Sequence, residues 1–129
     1  MDTMRYIERT FQKTLSYYID SGKSVLLLGP RQTGKTTLID QLKPDFKISL
    51  VLPRERQRYE KNPSTLYDEV KALASHLPNR KPLVVVDEVQ KVPALMDVAQ
   101  AILDEKLAQC LLTGSSARKL RRGASVNLL

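Results

Sequence analysis

Apolar residues gather along this chain in two ways, at helical spacing and in short unbroken runs. Between Thr3 and Asp20, Met4, Ile7, Phe11, Leu15 and Tyr18 recur at intervals of three and four, which places them on one face of an amphipathic helix. Ser21-Gly22-Lys23 stops that helix, Gly22 being suited to the left-handed position past its end. Val25 to Leu28 is apolar throughout, the composition of a central strand buried on both faces. A polar loop leads to a helix over 35–42, closed by Pro44. Phe46 to Val51 reads as a second strand, ended by Pro53, and the Arg- and Glu-rich stretch from Arg54 to Glu60 as a helix. Asn62-Pro63 predicts a helix start with Asn as cap and Pro in the first turn, followed by Leu66, Val70, Leu73 and Leu77 on one side. Leu83 to Val86 is a third strand. Pro93 opens a further helix with Leu95, Val98, Ile102 and Leu107 facing inward, and Cys110 to Thr113 is a fourth strand broken by Gly114.

Strands alternating with helices predict an α/β fold, a three-layer α/β/α sandwich around a mostly parallel sheet. Its 129 residues fit one domain, 1–129, with residues 1–22 as a leading helix. A ligand then belongs at the carboxyl ends of the strands.

Composition narrows the class. With 42% hydrophobic and 27% charged residues the chain reads as globular rather than disordered. No apolar run approaches the roughly 20 residues that span a bilayer, so no membrane partner is expected. The start, Met1-Asp2-Thr3-Met4-Arg5-Tyr6, lacks the basic and apolar segments of a secretory signal, and a single cysteine excludes an internal disulfide. A cytoplasmic location is the expectation. A net charge of +7 favours polyanions, nucleotide phosphates and nucleic acid alike. The excess concentrates in Arg118-Lys119-Leu120-Arg121-Arg122, a candidate nucleic-acid contact or a plain solvated surface.

Gly29-Pro30-Arg31-Gln32-Thr33-Gly34-Lys35-Thr36 matches the phosphate-loop pattern G-x-x-x-x-G-K-[ST], with a strand before it and a helix after it. Gly29 and Gly34 permit backbone angles that let successive N–H groups curl around a phosphate at the positive end of a helix. Lys35 is expected to reach the β- and γ-phosphates, Thr36 to bind Mg²⁺ and Thr37 to meet the α-phosphate.

Asp87 and Glu88 end the third strand. Asp87 is the candidate second anchor for Mg²⁺, and Glu88 the candidate residue that polarises the attacking water. A glutamate after the magnesium aspartate points to hydrolysis, and one strand between the two motifs marks the additional-strand, catalytic-glutamate branch of this architecture. The fourth strand should lie between the first and third, bringing Thr113 or Ser115 near the γ-phosphate as a polar sensor. The alternative is an ordinary Gly-Ser turn. Arg118, Arg121 or Arg122 could supply an arginine finger, within the chain or from a neighbouring copy in a homo-oligomer.

Other residues read more plainly. His76 suits a surface or helix-capping role, Cys110 a small buried apolar one, and Tyr17 and Tyr18 packing. Gln90 could orient water or a partner.

Leu26 to Thr37, Val85 to Pro93 (Val-Val-Asp-Glu-Val-Gln-Lys-Val-Pro) and Leu112 to Leu120 (Leu-Thr-Gly-Ser-Ser-Ala-Arg-Lys-Leu) together resemble the prokaryotic AAA-like P-loop ATPases whose C-terminal half is a domain of unknown function. The resemblance spans nearly the whole chain. It implies ATP and Mg²⁺ binding by Lys35, Thr36 and Asp87, hydrolysis aided by Glu88, and sensing at Thr113 or Ser115. Members of that family continue into a further strand, a helical lid and the C-terminal domain, so the sheet is expected to be incomplete at the C-terminus, with its first strand an unprotected edge. Two classes of function follow: an ATP hydrolase, or a nucleotide-dependent binding and regulatory module with little turnover, associated with DNA. No Asn-Lys-x-Asp guanine-reading motif is present, which disfavours GTP, and a small-molecule kinase is a weaker third reading.

Overall fold

The computed structural model describes residues 3–28, 39–115 and 125–129, with side chains over 12–28, 39–115 and 128–129. Helix α1 (Thr3–Asp20) leads into β1 (Val25–Leu28); of the helix expected over 35–42, residues 39–42 are described, 39–41 being helical and Leu42 a turn. Then come β2 (Phe46–Ser49), α2 (Pro53–Lys61), α3 (Ser64–Ser75), β3 (Leu83–Asp87), a single 3₁₀ turn (Val89–Lys91), α4 (Ala94–Asp104), β4 (Gln109–Gly114) and β5 (Ser125–Leu128). Among the described residues no helix is long and apolar enough to cross a membrane.

The sheet runs β2-β3-β4-β1-β5, the first four strands parallel and β5 antiparallel to β1. β4 therefore lies between β1 and β3, as the alternating pattern predicts. The expected exposed edge at β1 is corrected: Val25 to Leu28 pair with Leu128 to Ser125. Residues 125–128 alone are too short to be recognised as a strand in sequence. They qualify because β1 offers an unfilled row of backbone donors and acceptors.

Alternation along each strand separates two cores. Val84, Val86, Cys110 and Leu112 pack with Tyr59, Leu66, Val70, Leu95, Ala99 and Ile102 from α2, α3 and α4 on one face. Val25, Leu27, Leu83, Val85 and Leu111 pack with Leu15 and Ile19 of α1 and with Ile39 on the other. Side chains one residue apart face opposite ways, so unbroken apolar runs feed both layers. Cys110 is one of these packing residues, and burial pushes its thiol up to about 12.

Local details correct three expectations. α3 begins at Ser64 with Pro63 at its cap position; Asn62 serves it through its carbonyl oxygen, which accepts from the Thr65 N–H at 3.1 Å. Tyr17 is 68% exposed and lies outside the core, its ring meeting that of Tyr18 edge-on with centroids 5.6 Å apart, whereas Tyr18 packs against the core, because the helical stripe leaves Tyr17 on its outer side. β2 ends at Ser49 rather than Val51, since the Leu52 N–H turns back to Ser49 O and Pro53 starts α2 at once. Gly22 adopts φ +81°, with Lys23 N–H bonded to Tyr18 O and Gly22 N–H to Ile19 O, the paired bonds of a left-handed helix end. His76 caps α3, its Nδ1 2.8 Å from Ala72 O.

Candidate functional site

β3 carries Val84, Val85 and Val86 through the middle of the sheet and surfaces at Asp87, which is half-buried and pairs with Ser49 of β2. The next residue, Glu88, turns the chain with φ +59° and ψ +50°. A non-glycine residue in this left-handed region costs on the order of 1–2 kcal/mol. Here that conformation aims the Glu88 N–H across to β4, where it donates to Thr113 Oγ1 at 3.1 Å. Glu88 itself is only 3% exposed.

Thr113 is fully buried, and its hydroxyl does two things at once. It accepts from Glu88 N–H and donates to Asp87 Oδ1 at 2.5 Å. A hydroxyl has one proton and two lone pairs, so both bonds are compatible. One side chain on β4 thereby fixes the backbone of one acidic residue and the carboxylate of the other. Ser115, one residue past the end of β4, donates from Oγ to Glu88 Oε1 at 2.8 Å. The Gln90 carboxamide donates from Nε2 to Glu88 Oε2. β4 thus reaches the acidic pair from one side and the 3₁₀ turn folds back on it from the other.

The phosphate-loop residues Gly29, Pro30, Arg31, Gln32, Thr33, Gly34, Lys35, Thr36 and Thr37 lie outside the described residues, as do Ser116 and the basic run from Arg118 to Arg122. Both flanks of the loop are described. Leu28, immediately before Gly29, pairs with Gly114 of β4, and Ile39 is buried in a helical stretch. The carboxyl end of β1 is therefore one residue in register from Thr113, next to the acidic pair. A strand before residue 29 and a helical stretch at 39–41 flank the motif in the order the pattern requires.

Asp87 presents a hard oxygen donor at a half-buried strand end. That chemistry fits Mg²⁺, which takes one or two protein carboxylates and completes its shell with phosphate oxygens and water.

Asp87, Glu88, Thr113 and Ser115 were all legible as candidates, and the structure brings the four together. Two features were not legible. Thr113 faces the acidic pair itself, and Gln90 reaches back to the carboxylate two residues before it. A Gln following an acidic strand end by two residues was visible, but only the left-handed turn at Glu88 brings the two side chains together.

A family model described as an AAA domain matches residues 21–128, from the end of α1 to the last residue of β5. No curated protein matches the chain. With strand order, acidic pair and phosphate-loop pattern all within that match, the chain belongs to the AAA domain family, whose members bind nucleotides.

Proposed function

We propose that this domain binds ATP with Mg²⁺ at the carboxyl ends of β1, β3 and β4 and hydrolyses it to ADP and phosphate. The observation that carries this reading is the joining of Asp87 and Glu88 through the single hydroxyl of Thr113, beside the strand that leads into the phosphate-loop sequence. Two adjacent carboxylates are held in fixed and different settings, which suits two different tasks.

Backbone N–H groups of the 29–36 loop cradle the phosphates, Lys35 neutralises the β- and γ-phosphates, and Thr37 meets the α-phosphate. Thr36 and Asp87 hold the magnesium, which when bound offsets charge developing on the phosphate oxygens. Glu88 accepts a hydrogen bond from the attacking water and polarises it. Thr113 keeps the two acidic residues in register, and Ser115 contacts the Glu88 carboxylate.

Calorimetric titration with ATP and Mg²⁺ tests the site. The wild-type chain should bind saturably and Lys35→Ala should lose binding at least tenfold. Steady-state phosphate release tests the chemistry, with Glu88→Gln expected to lower the rate by about 10²- to 10⁴-fold. Saturable binding with release no faster than that control would refute hydrolysis and leave a nucleotide-dependent binding module.

A further inference from the structure

Gln90 has no part in the roles assigned above. It is exposed, yet its carboxamide folds inward so that Nε2 donates to Glu88 Oε2. The other carboxylate oxygen accepts from Ser115 Oγ at 2.8 Å. A residue only 3% exposed is thus gripped at both carboxylate oxygens, by donors from two different elements.

Gly114 makes room for this arrangement. A Cβ at that position would stand 3.0 Å from Gln90 Oε1 and 3.2 Å from Leu28 Cδ2, closer than ordinary packing allows. The glycine between Thr113 and Ser115 therefore gives the Gln90 amide a seat against β4. Backbone restraint is present too, through Glu88 N–H to Thr113. Backbone and carboxylate of one residue are fixed independently.

We propose that Gln90 and Ser115 are positioning residues for Glu88, holding its carboxylate in the single orientation that meets the attacking water. This rests on the reading of Glu88 as the residue that polarises that water. A carboxylate has about four lone-pair sites, so these two donors do not by themselves exhaust its capacity to accept a third hydrogen bond. A free glutamate side chain carries about 1.5–2 kcal/mol of rotamer entropy, and holding it in advance removes that cost from the reaction step. An exposed glutamine that only filled space would need no donor aimed at a carboxylate.

The test compares wild type, Glu88→Gln, Gln90→Met, Gln90→Glu, Ser115→Ala and Ser115→Thr, measuring kcat for phosphate release and Kd for ATP–Mg²⁺. Gln90→Met keeps the length against Gly114 and removes the donor; Gln90→Glu is isosteric and serves if the methionine variant folds poorly. Removing either donor should lower kcat by about 10- to 100-fold while the ATP Kd stays within about twofold, because no phosphate contact changes. Ser115→Thr keeps a hydroxyl and should retain most of the wild-type kcat. Unchanged or raised kcat in both Gln90 variants overturns the proposal, as does a loss of ATP affinity parallel to the loss of kcat. Failure of the hydrolysis reading looks different: wild type would then release phosphate no faster than Glu88→Gln, and the positioning role would fall with it.

Discussion

Thr113 and Glu88 illustrate how little chemistry is needed to separate two neighbouring carboxylates. The Glu88 backbone is bent into a left-handed conformation, and the bend is held by one buried hydroxyl that also engages Asp87. Replacing Thr113 by Val keeps the shape and strands a buried N–H. Thr113→Val should therefore destabilise the fold by roughly 1–3 kcal/mol, measured by urea unfolding, and Thr113→Ser should recover most of that loss. A Val variant as stable as wild type would mean that the hydroxyl is not what holds the turn. Gly114→Ala belongs to the same neighbourhood. Its methyl group displaces the Gln90 amide or Leu28 by a few tenths of an ångström, so its phosphate-release rate should fall in step with that of Gln90→Met.

Helix ends show where an element depends on more than its own composition. α1 stops at Gly22, where the residue type announces the left-handed angle. α4 stops in the same way at Lys106, with φ +57°, Lys106 N–H bonded to Leu103 O and Leu107 N–H to Ile102 O. Nothing about lysine signals this; the angle is imposed because Ala108 must enter the core and β4 must start at Gln109. Lys106→Gly should accordingly stabilise the domain by about 0.5–1 kcal/mol, seen as a higher urea midpoint at unchanged slope. At the amino ends of β2 and β3, Arg80 grips Asp45 with two nitrogens at 2.6 and 2.8 Å, and Asp45 Oδ2 accepts from Leu83 N–H at 2.7 Å. The Arg80 guanidinium, more than the Leu83 N–H, holds the Asp45 carboxyl below its ordinary value of 3.8. A depressed folded-state value stabilises above the unfolded one and is lost as pH falls through the folded one. The contribution of Asp45 is therefore complete above about pH 5 and fades below 3.8. Asp45→Asn should cost roughly 1 kcal/mol at pH 7, and the gap to wild type should narrow as the pH of unfolding is lowered past 3.8. A gap independent of pH would point to the amide proton contact instead of the charge.

At the scale of the whole molecule, the sheet is anchored at one end and carries the candidate site at the other. Gln109 Nε2 donates to Ile19 O at 2.7 Å and to Lys23 O at 2.8 Å, fastening the end of α1 to the start of β4. Ser24 Oγ accepts from Cys110 N–H at 2.9 Å, and Leu129 N–H returns to Ser24 O at 3.0 Å. These bonds lie at the amino ends of the parallel strands, while Asp87, Glu88 and Thr113 occupy the carboxyl ends. β5 closes the side of β1, whose neighbour β4 carries the site residues. A chain ended at Gly123 would bare the β1 edge from Val25 to Leu28, and should show a lower Tm and concentration-dependent light scattering on warming. Equal Tm and no scattering would mean that β5 contributes little.

The layers of the fold were written in the chain, because unbroken apolar runs and helical stripes each have one low-energy way to hide from water. The order of motifs along the chain, the acidic pair after the third strand and the polar end of the fourth were also fixed locally, by residue type and spacing. Tyr17, the Asn62 cap and the free edge at β1 were misjudged, because each depends on what another segment supplies. The left-handed angle at Glu88 and the double duty of Thr113 have the same origin, and the reach of Gln90 follows from that angle. A hydrogen bond between residues 25 or more positions apart has no signature in either residue alone. It exists only once the parallel sheet has set β3 and β4 side by side in register.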